Sequence, residues 1–182
     1  RLMGDFKRDH PHFTLSLKIS DTKEIVQELL QGHIEYGLVG ARVNHPSLHY
    51  EKFEEDEIIV IALSDHPLTR KRSVGFEDLL REPWIIREEG SGTQMAVEGV
   101  LRKKGKSLKD FNVAIEMGST SSVKEGVKAK LGLAFISRRA VEEELSRNLF
   151  TSIPLEGLES ISRQIYIISQ RGKTVSPIGI EF

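Results

Sequence analysis

Three short stretches place hydroxyls and glycines directly ahead of segments with helical patterning: Ser20 to Thr22, Gly90-Ser91-Gly92-Thr93, and Ser119-Thr120-Ser121. The free backbone amides and positive dipole end of a helix amino terminus attract a carboxylate, sulfate or phosphate without needing a charged side chain. Ser, Thr and Asp are also ordinary helix caps, so each stretch taken alone fits a cap as well as a ligand contact. All three follow candidate strands, however, and open α/β sheets collect ligands at the carboxyl ends of their strands. The residues therefore point to a small anionic ligand held between two lobes. Ser20, Thr22, Gly90, Ser91, Gly92, Thr93, Ser119 and Thr120 are its candidate contacts.

Other chemistry finds less support. Gly90 to Thr93 lacks the lysine of a phosphate-binding P-loop and the spacing of a dinucleotide fingerprint. Among the six histidines only His45 and His49 stand four apart, as a helical zinc pair would, and Pro46 between them makes the stretch a loop. His66 precedes Pro67 in a turn and has no partner to make it a general base. No nucleophile stands beside a base, so the chain reads as a binding protein without catalysis, metal or cofactor. The runs Glu54 to Glu57 and Arg70 to Arg72 read as solvated faces, and Trp84 reads as a core aromatic on a strand.

The composition sets the outer limits. With 182 residues, 38% hydrophobic and 29% charged, the chain can bury a sizeable core and does not look disordered. A formal net charge of -1 supplies no basic field for phosphate backbones, so this part of a protein should not bind DNA by itself. The absence of cysteine excludes disulfides and thiolate sites and fits a cytoplasmic location. No apolar run approaches the roughly 18 residues of a membrane helix.

These residues need elements to position them. Alternation at Phe13, Leu15, Leu17 and Ile19 predicts a strand, after which Asp21 or Thr22 caps a helix bearing Ile25, Val26, Leu29 and Leu30 and ending at Gly32. Tyr36 to Gly40 then reads as a strand parallel to the first, since a helix crosses between them. The same grammar returns with Val113, Ile115 and Met117, a helix carrying Val123, Val127 and Leu131 that closes at Gly132, and the apolar run Leu133 to Ile136. Trp84 to Arg87 is a further strand, and Thr93 begins a helix that runs to about Lys104. Glu57 to Leu63 and Arg163 to Ile168 are β-prone and can carry the chain between lobes. The expected fold is α/β with two lobes: residues 1–62 with 165–182, and residues 63–164.

The order of several motifs resembles the LysR-type transcription regulators along nearly the whole chain. Leu29-Leu30-Gln31-Gly32 with Ile34-Glu35-Tyr36-Gly37-Leu38-Val39 resembles the family's signature of leucines, glycine and an acidic residue opening a strand. Ser64-Asp65-His66-Pro67-Leu68, Pro83-Trp84-Ile85-Ile86 and Glu88-Glu89-Gly90-Ser91-Gly92-Thr93 follow in the family's order, with Gln94 where arginine is frequent. Val127 to Leu133 resembles the close of the second unit, and Ser176-Pro177 the start of the closing helix. The resemblance implies a periplasmic-binding-protein-like (type II) fold with two crossover strands, an effector in the cleft, and a homodimer or higher homo-oligomer. It also implies DNA contact only through a winged helix-turn-helix before Arg1, and a first strand of lobe one that is likewise missing from this sequence. A solute-binding protein of a transport system is the alternative reading.

Overall fold

The computed structural model describes residues 2–157 and 161–174 together with 176 and 179. Helix α1 (Leu2–Asp9) leads through an irregular segment to helix α2 (Thr22–Gln31) and strand β1 (Tyr36–Val39). In α2, Ile25, Val26 and Leu29 recur at helical spacing and bury one face. Asp21 caps its start by accepting from the Glu24 amide at 2.9 Å, and Gly32 ends it at φ +80°, where a side chain would be strained.

Strand β2 (Leu48–Leu63) follows, then a 3-10 turn at Pro67–Arg70, α3 (Phe76–Leu80), β3 (Pro83–Arg87), α4 (Gly92–Lys103) and β4 (Asn112–Met117). The chain continues through α5 (Thr120–Lys128), β5 (Leu133–Ser137), α6 (Glu142–Ser146), β6 (Phe150–Ser152) and β7 (Ile161–Gln170). The strands form one sheet in the order β1-β7-β2-β5-β3-β4, with β6 also paired to β2. β3 is parallel to both β4 and β5, as the helical crossovers α4 and α5 require. β7 is antiparallel to β1 and to β2. Leu48 to Ile58 of β2 pairs with β7, and Ile58 to Ile61 pairs with β5, so β2 links the two ends of the sheet.

Alternation along β2 feeds two faces. Ile58, Val60 and Ala62 pack with Trp84, Val97, Leu101 and Phe135, while Ile59 and Ile61 pack with Val123, Val127 and Phe150. Trp84 is fully buried, stacks on Phe135 at 4.7 Å between centroids and donates from its indole to the Leu79 carbonyl at 2.8 Å. A separate core at the other end gathers Ile25, Val26, Leu29, Val39, Leu48 and Ile168. Fully burying each such side chain contributes about 1.5–3 kcal/mol.

Three expectations are corrected. Phe13 to Ile19 forms no strand, and the second strand is not parallel to it. Alternation alone makes no ladder, this segment finds no paired strand among the described residues, and Phe13, Leu17 and Ile19 remain exposed. The run Glu54 to Glu57 is not simply a solvated face, because Asp56 within it is buried. α5 closes at its Ala129 cap rather than at Gly132, with Lys130 taking the left-handed turn at φ 60°. Pro177, where the closing helix was expected to begin, lies outside the described residues.

Candidate functional site

β3 delivers Arg87 to its carboxyl end, and the chain then turns through Glu88 to Ser91 into α4. Gly90 takes φ +99°, a conformation that excludes most side chains, and the Ser91 amide closes the turn on the Glu88 carbonyl at 3.1 Å. Ser91 stands at the helix cap position without using its side chain as a cap; its Oγ is buried and has no hydrogen-bond partner among the described residues. Thr93, two residues on, is also buried, and its Oγ1 accepts from Arg163 Nη1 at 3.0 Å. Gln94 donates from Nε2 to Glu98 at 3.1 Å, and its buried Oε1 has no hydrogen-bond partner among the described residues.

Arg163 comes from β7 and meets Asp56 of β2. Nε and Nη2 lie 2.9 and 2.8 Å from the same Asp56 oxygen, Oδ2, while Oδ1 accepts from Ser137 Oγ at 2.6 Å. The seat is tight, because a Cβ on Gly40 would fall 2.7 Å from Arg163 Nη1 and one on Gly92 would fall 3.1 Å from it. The end of β1, the start of α4 and both crossover strands thus converge on one guanidinium.

Two further ion pairs flank the loop. Arg87 grips Glu88 with Nε at 2.7 Å and Nη2 at 2.6 Å, and its Nη1 donates to Thr120 Oγ1 at 3.1 Å. Partial burial pushes the Glu88 carboxyl up, but hydrogen bonds from Arg87 and the backbone outweigh it and hold the pKa below the usual glutamate value. Lys23 of α2 reaches Glu89 at 2.9 Å across exposed surface; its hydrogen bond and charge lower that carboxyl too. Each of these three cations, Lys23, Arg87 and Arg163, is matched by its own carboxylate.

The structure therefore joins Gly90 to Thr93 with α2 through Lys23, and with Thr120 through Arg87 and Glu88. Thr22 is buried at the start of α2. Ser20 is engaged by Glu24, and Ser119 caps α5 by accepting from the Ser122 amide at 3.0 Å. The hollow lined by Ile86, Arg87, Thr93 and Gln94, with Val97 and Phe135 behind them, holds only about 10 Å³. A depression of about 230 Å³ lies elsewhere, between Leu63, Pro67, Pro83 and Lys130. His45 turns its Nδ1 to the Ser47 amide at 3.2 Å, and no group of three or more metal-ligating side chains occurs among the described residues.

Sequence reasoning missed Asp56, Arg163 and Gly40. The available signal was a lone arginine in the apolar strand Ile161 to Ile168, set against an acidic run that leads directly into the apolar run Ile58 to Ala62. Charge entering a strand of that kind needs a partner.

Parallel strands joined by helices, with hydroxyls and helix-start amides at the carboxyl ends of those strands and two crossover strands beside them, define the class as an α/β protein of the crossover type. The chain matches the LysR substrate binding domain over residues 1–178 and belongs to that family. It is 31% identical over 177 residues to the RuBisCO operon transcriptional regulator of Allochromatium vinosum, covering 97% of this chain and 57% of that protein. It is 29% identical to the HTH-type transcriptional activator CmpR of Synechocystis, covering 100% of this chain and 59% of that protein. A 35% identity over 176 residues links it to an Anaeromyxobacter dehalogenans protein named phosphonates import ATP-binding protein PhnC, covering 94% of this chain and 34% of that one. The chain thus spans between about a third and three fifths of these relatives.

Among solved structures, the regulatory domain of CcmR from Synechocystis, in complex with 2-PG, superposes with a TM-score of 0.86 at 27% identity. That match covers 100% of this chain and 85% of the other. The QuiR effector-binding domain with shikimate gives 0.83 at 16% identity, over 98% and 83%, and shares the fold. The fold is the two-lobed, periplasmic-binding-protein-like type II fold of LysR effector-binding domains.

Proposed function

We propose that this chain senses a small anionic metabolite between two lobes and passes that signal to a DNA-binding domain of the same regulator. The observation that carries the reading is the buried, unpartnered Ser91 Oγ at the start of the twelve-residue helix α4, beside the buried Thr93 hydroxyl. A buried hydroxyl without a partner is rare and costly, and a helix amino terminus is where an oxyanion would satisfy it. Thr93 and Thr120 are the contacts proposed to matter most, with Thr22, Gly90, Gly92 and the Ser20 and Ser119 turns shaping the walls.

The lobes proposed are residues 1–62 with 165–182 and residues 63–164. Ile58, Val60 and Ala62 of β2 pack in the larger core with Trp84, Val97 and Phe135, which supports β2 as a strand that passes between the lobes. A homodimer is supported by β4, a sheet edge whose Val113 and Ile115 are exposed, since natural edges of that kind are usually covered. No helix of the described residues is long and apolar enough to cross a membrane, and a cytoplasmic location fits a regulator of transcription.

The test is a thermal-shift panel of 2-phosphoglycolate, shikimate, sulfate, thiosulfate, acetylserine and aromatic acids, because a ligand of the folded state raises the melting temperature by mass action. A saturable rise with an anionic compound is expected. Response to none of them would overturn the reading.

A further inference from the structure

We propose that Arg163 is a positioning residue for ligand recognition: seated by Asp56, it engages the Thr93 hydroxyl so that this hydroxyl donates, selecting a ligand group that accepts hydrogen bonds. The inference rests on the reading that the effector binds at the start of α4.

A threonine hydroxyl has one proton to give and two lone pairs to receive. Arg163 Nη1, at 3.0 Å, occupies one lone pair and leaves the proton and the second lone pair; the cation behind the oxygen polarises the hydroxyl and favours the proton as the group turned to a ligand. The Met95 amide already donates to the Ser91 carbonyl at 3.0 Å, whereas the Gly92, Thr93 and Gln94 amides precede the first helical acceptor. The Gln94 carboxamide can offer either its oxygen or its nitrogen. The start of α4 is therefore dominated by donors, and a carboxylate or phosphate oxygen is their complement.

Arginine suits this place because its fork serves two partners at once. Nε and Nη2 hold Asp56 Oδ2, and Nη1 leaves at the far side toward Thr93. Gly40 and Gly92 provide the room, since a Cβ on either would press on Nη1. Asp56 neutralises the guanidinium, so Arg163 contributes orientation rather than net charge, and lysine could not span both partners. The anion itself is held by amides, hydroxyls and the helix dipole.

The test titrates ¹⁵N-labelled protein with 2-phosphoglycolate and glycolate as oxyanion probes and ethanolamine as a cationic control. Saturable shifts of the Gly92 and Thr93 amides are expected with the oxyanions and not with ethanolamine. Arg163→Lys should weaken the oxyanions about tenfold or more. Thr93→Val should do the same and Thr93→Ser should restore binding. Adding Arg163→Lys to Thr93→Val should weaken binding no further, which a merely structural role would not produce.

Unchanged affinity in Arg163→Lys, additive losses in the double variant, or equal binding of ethanolamine would overturn the proposal. If Arg163→Lys does not fold, equal affinities of Thr93→Val and Thr93→Ser overturn it alone. Absent amide shifts overturn it as well. They leave the sensing reading standing if the thermal-shift panel finds an anionic ligand elsewhere in the cleft, and remove both if it finds none.

Discussion

Two ion pairs tie the start of α4 to distant parts of the chain, and they share only their signs. Asp56 and Arg163 have side chains 5% and 18% exposed, with Ser137 and Thr93 completing their hydrogen bonds. Lys23 and Glu89 are 59% and 90% exposed and, among the described residues, pair with each other alone. In water a pair gains little over separate hydration, whereas a buried pair cannot lose one member without leaving the other desolvated. The difference teaches that burial, rather than charge, decides which of the two bridges the structure depends on.

Removing one side of the buried bridge should have the largest effect. Asp56→Ala is expected to destabilise by about 3 kcal/mol, near the lower end for buried pairs because Arg163 keeps some exposure. Urea denaturation measures it, and a stability equal to wild type would erase the contrast. Replacing both partners, as Asp56→Leu with Arg163→Met, should recover much of the loss. Next in size, Thr93→Ala and Thr120→Ala are each expected to weaken an anionic effector about ten- to hundredfold, while the ligand-free protein loses about 1–2 kcal/mol with the arginine hydrogen bond that each hydroxyl accepts. Calorimetric titration beside melting curves separates the two quantities; unchanged affinity would leave both threonines as helix-start residues only.

A pH series probes an intermediate case, the half-buried Glu88 beside Arg87. Its folded pKa is lowered, so its contribution is full above the unfolded value of about 4.3 and is lost as pH falls through the lower folded value. Glu88→Gln should therefore flatten part of the acid-side loss of stability, and an identical acid profile in variant and wild type would count against the Arg87 interaction. Smallest of all, Lys23→Ala should leave the denaturation midpoint unchanged within error at physiological salt. A clear drop would mean that the exposed bridge carries more than its surroundings suggest.

Local features were legible in the sequence, and long-range ones were not. Asp21 and Gly32 bound α2 through neighbours three or four residues away, and Trp84, a lone aromatic on a strand, is in the core as such residues commonly are. Glu57 to Leu63 was legible as a strand, yet the same strand begins at Leu48. His49, Glu51, Lys52 and Glu54 become β only because β7 pairs with them. Phe13 to Ile19 shows the reverse, a correct alternation with no ladder to join. Gly90 to Thr93 could be singled out as a helix start, whereas the partner of Thr93 lies 70 residues away on another strand, and that of Asp56 lies 107 away.

The ladder between β2 and β7 has a mechanical consequence. Ten registered pairs run from Leu48 opposite Gln170 to Ile58 opposite Ile161, interrupted once by a bulge between Lys52 and Glu54. The join between the two ends of the molecule is thus a hydrogen-bonded ribbon instead of a pair of independent tethers. Such a ribbon behaves as a leaf spring: it flexes across its thin direction and resists shear, because sliding one strand past the other would break the whole register at once. The bulge is the natural crease, since the ladder is already interrupted there and local twist is greatest. Opening about that crease would separate the Gly90 turn from α2, while Arg163 and Thr93, both on the Ile58 side of it, would keep their hydrogen bond.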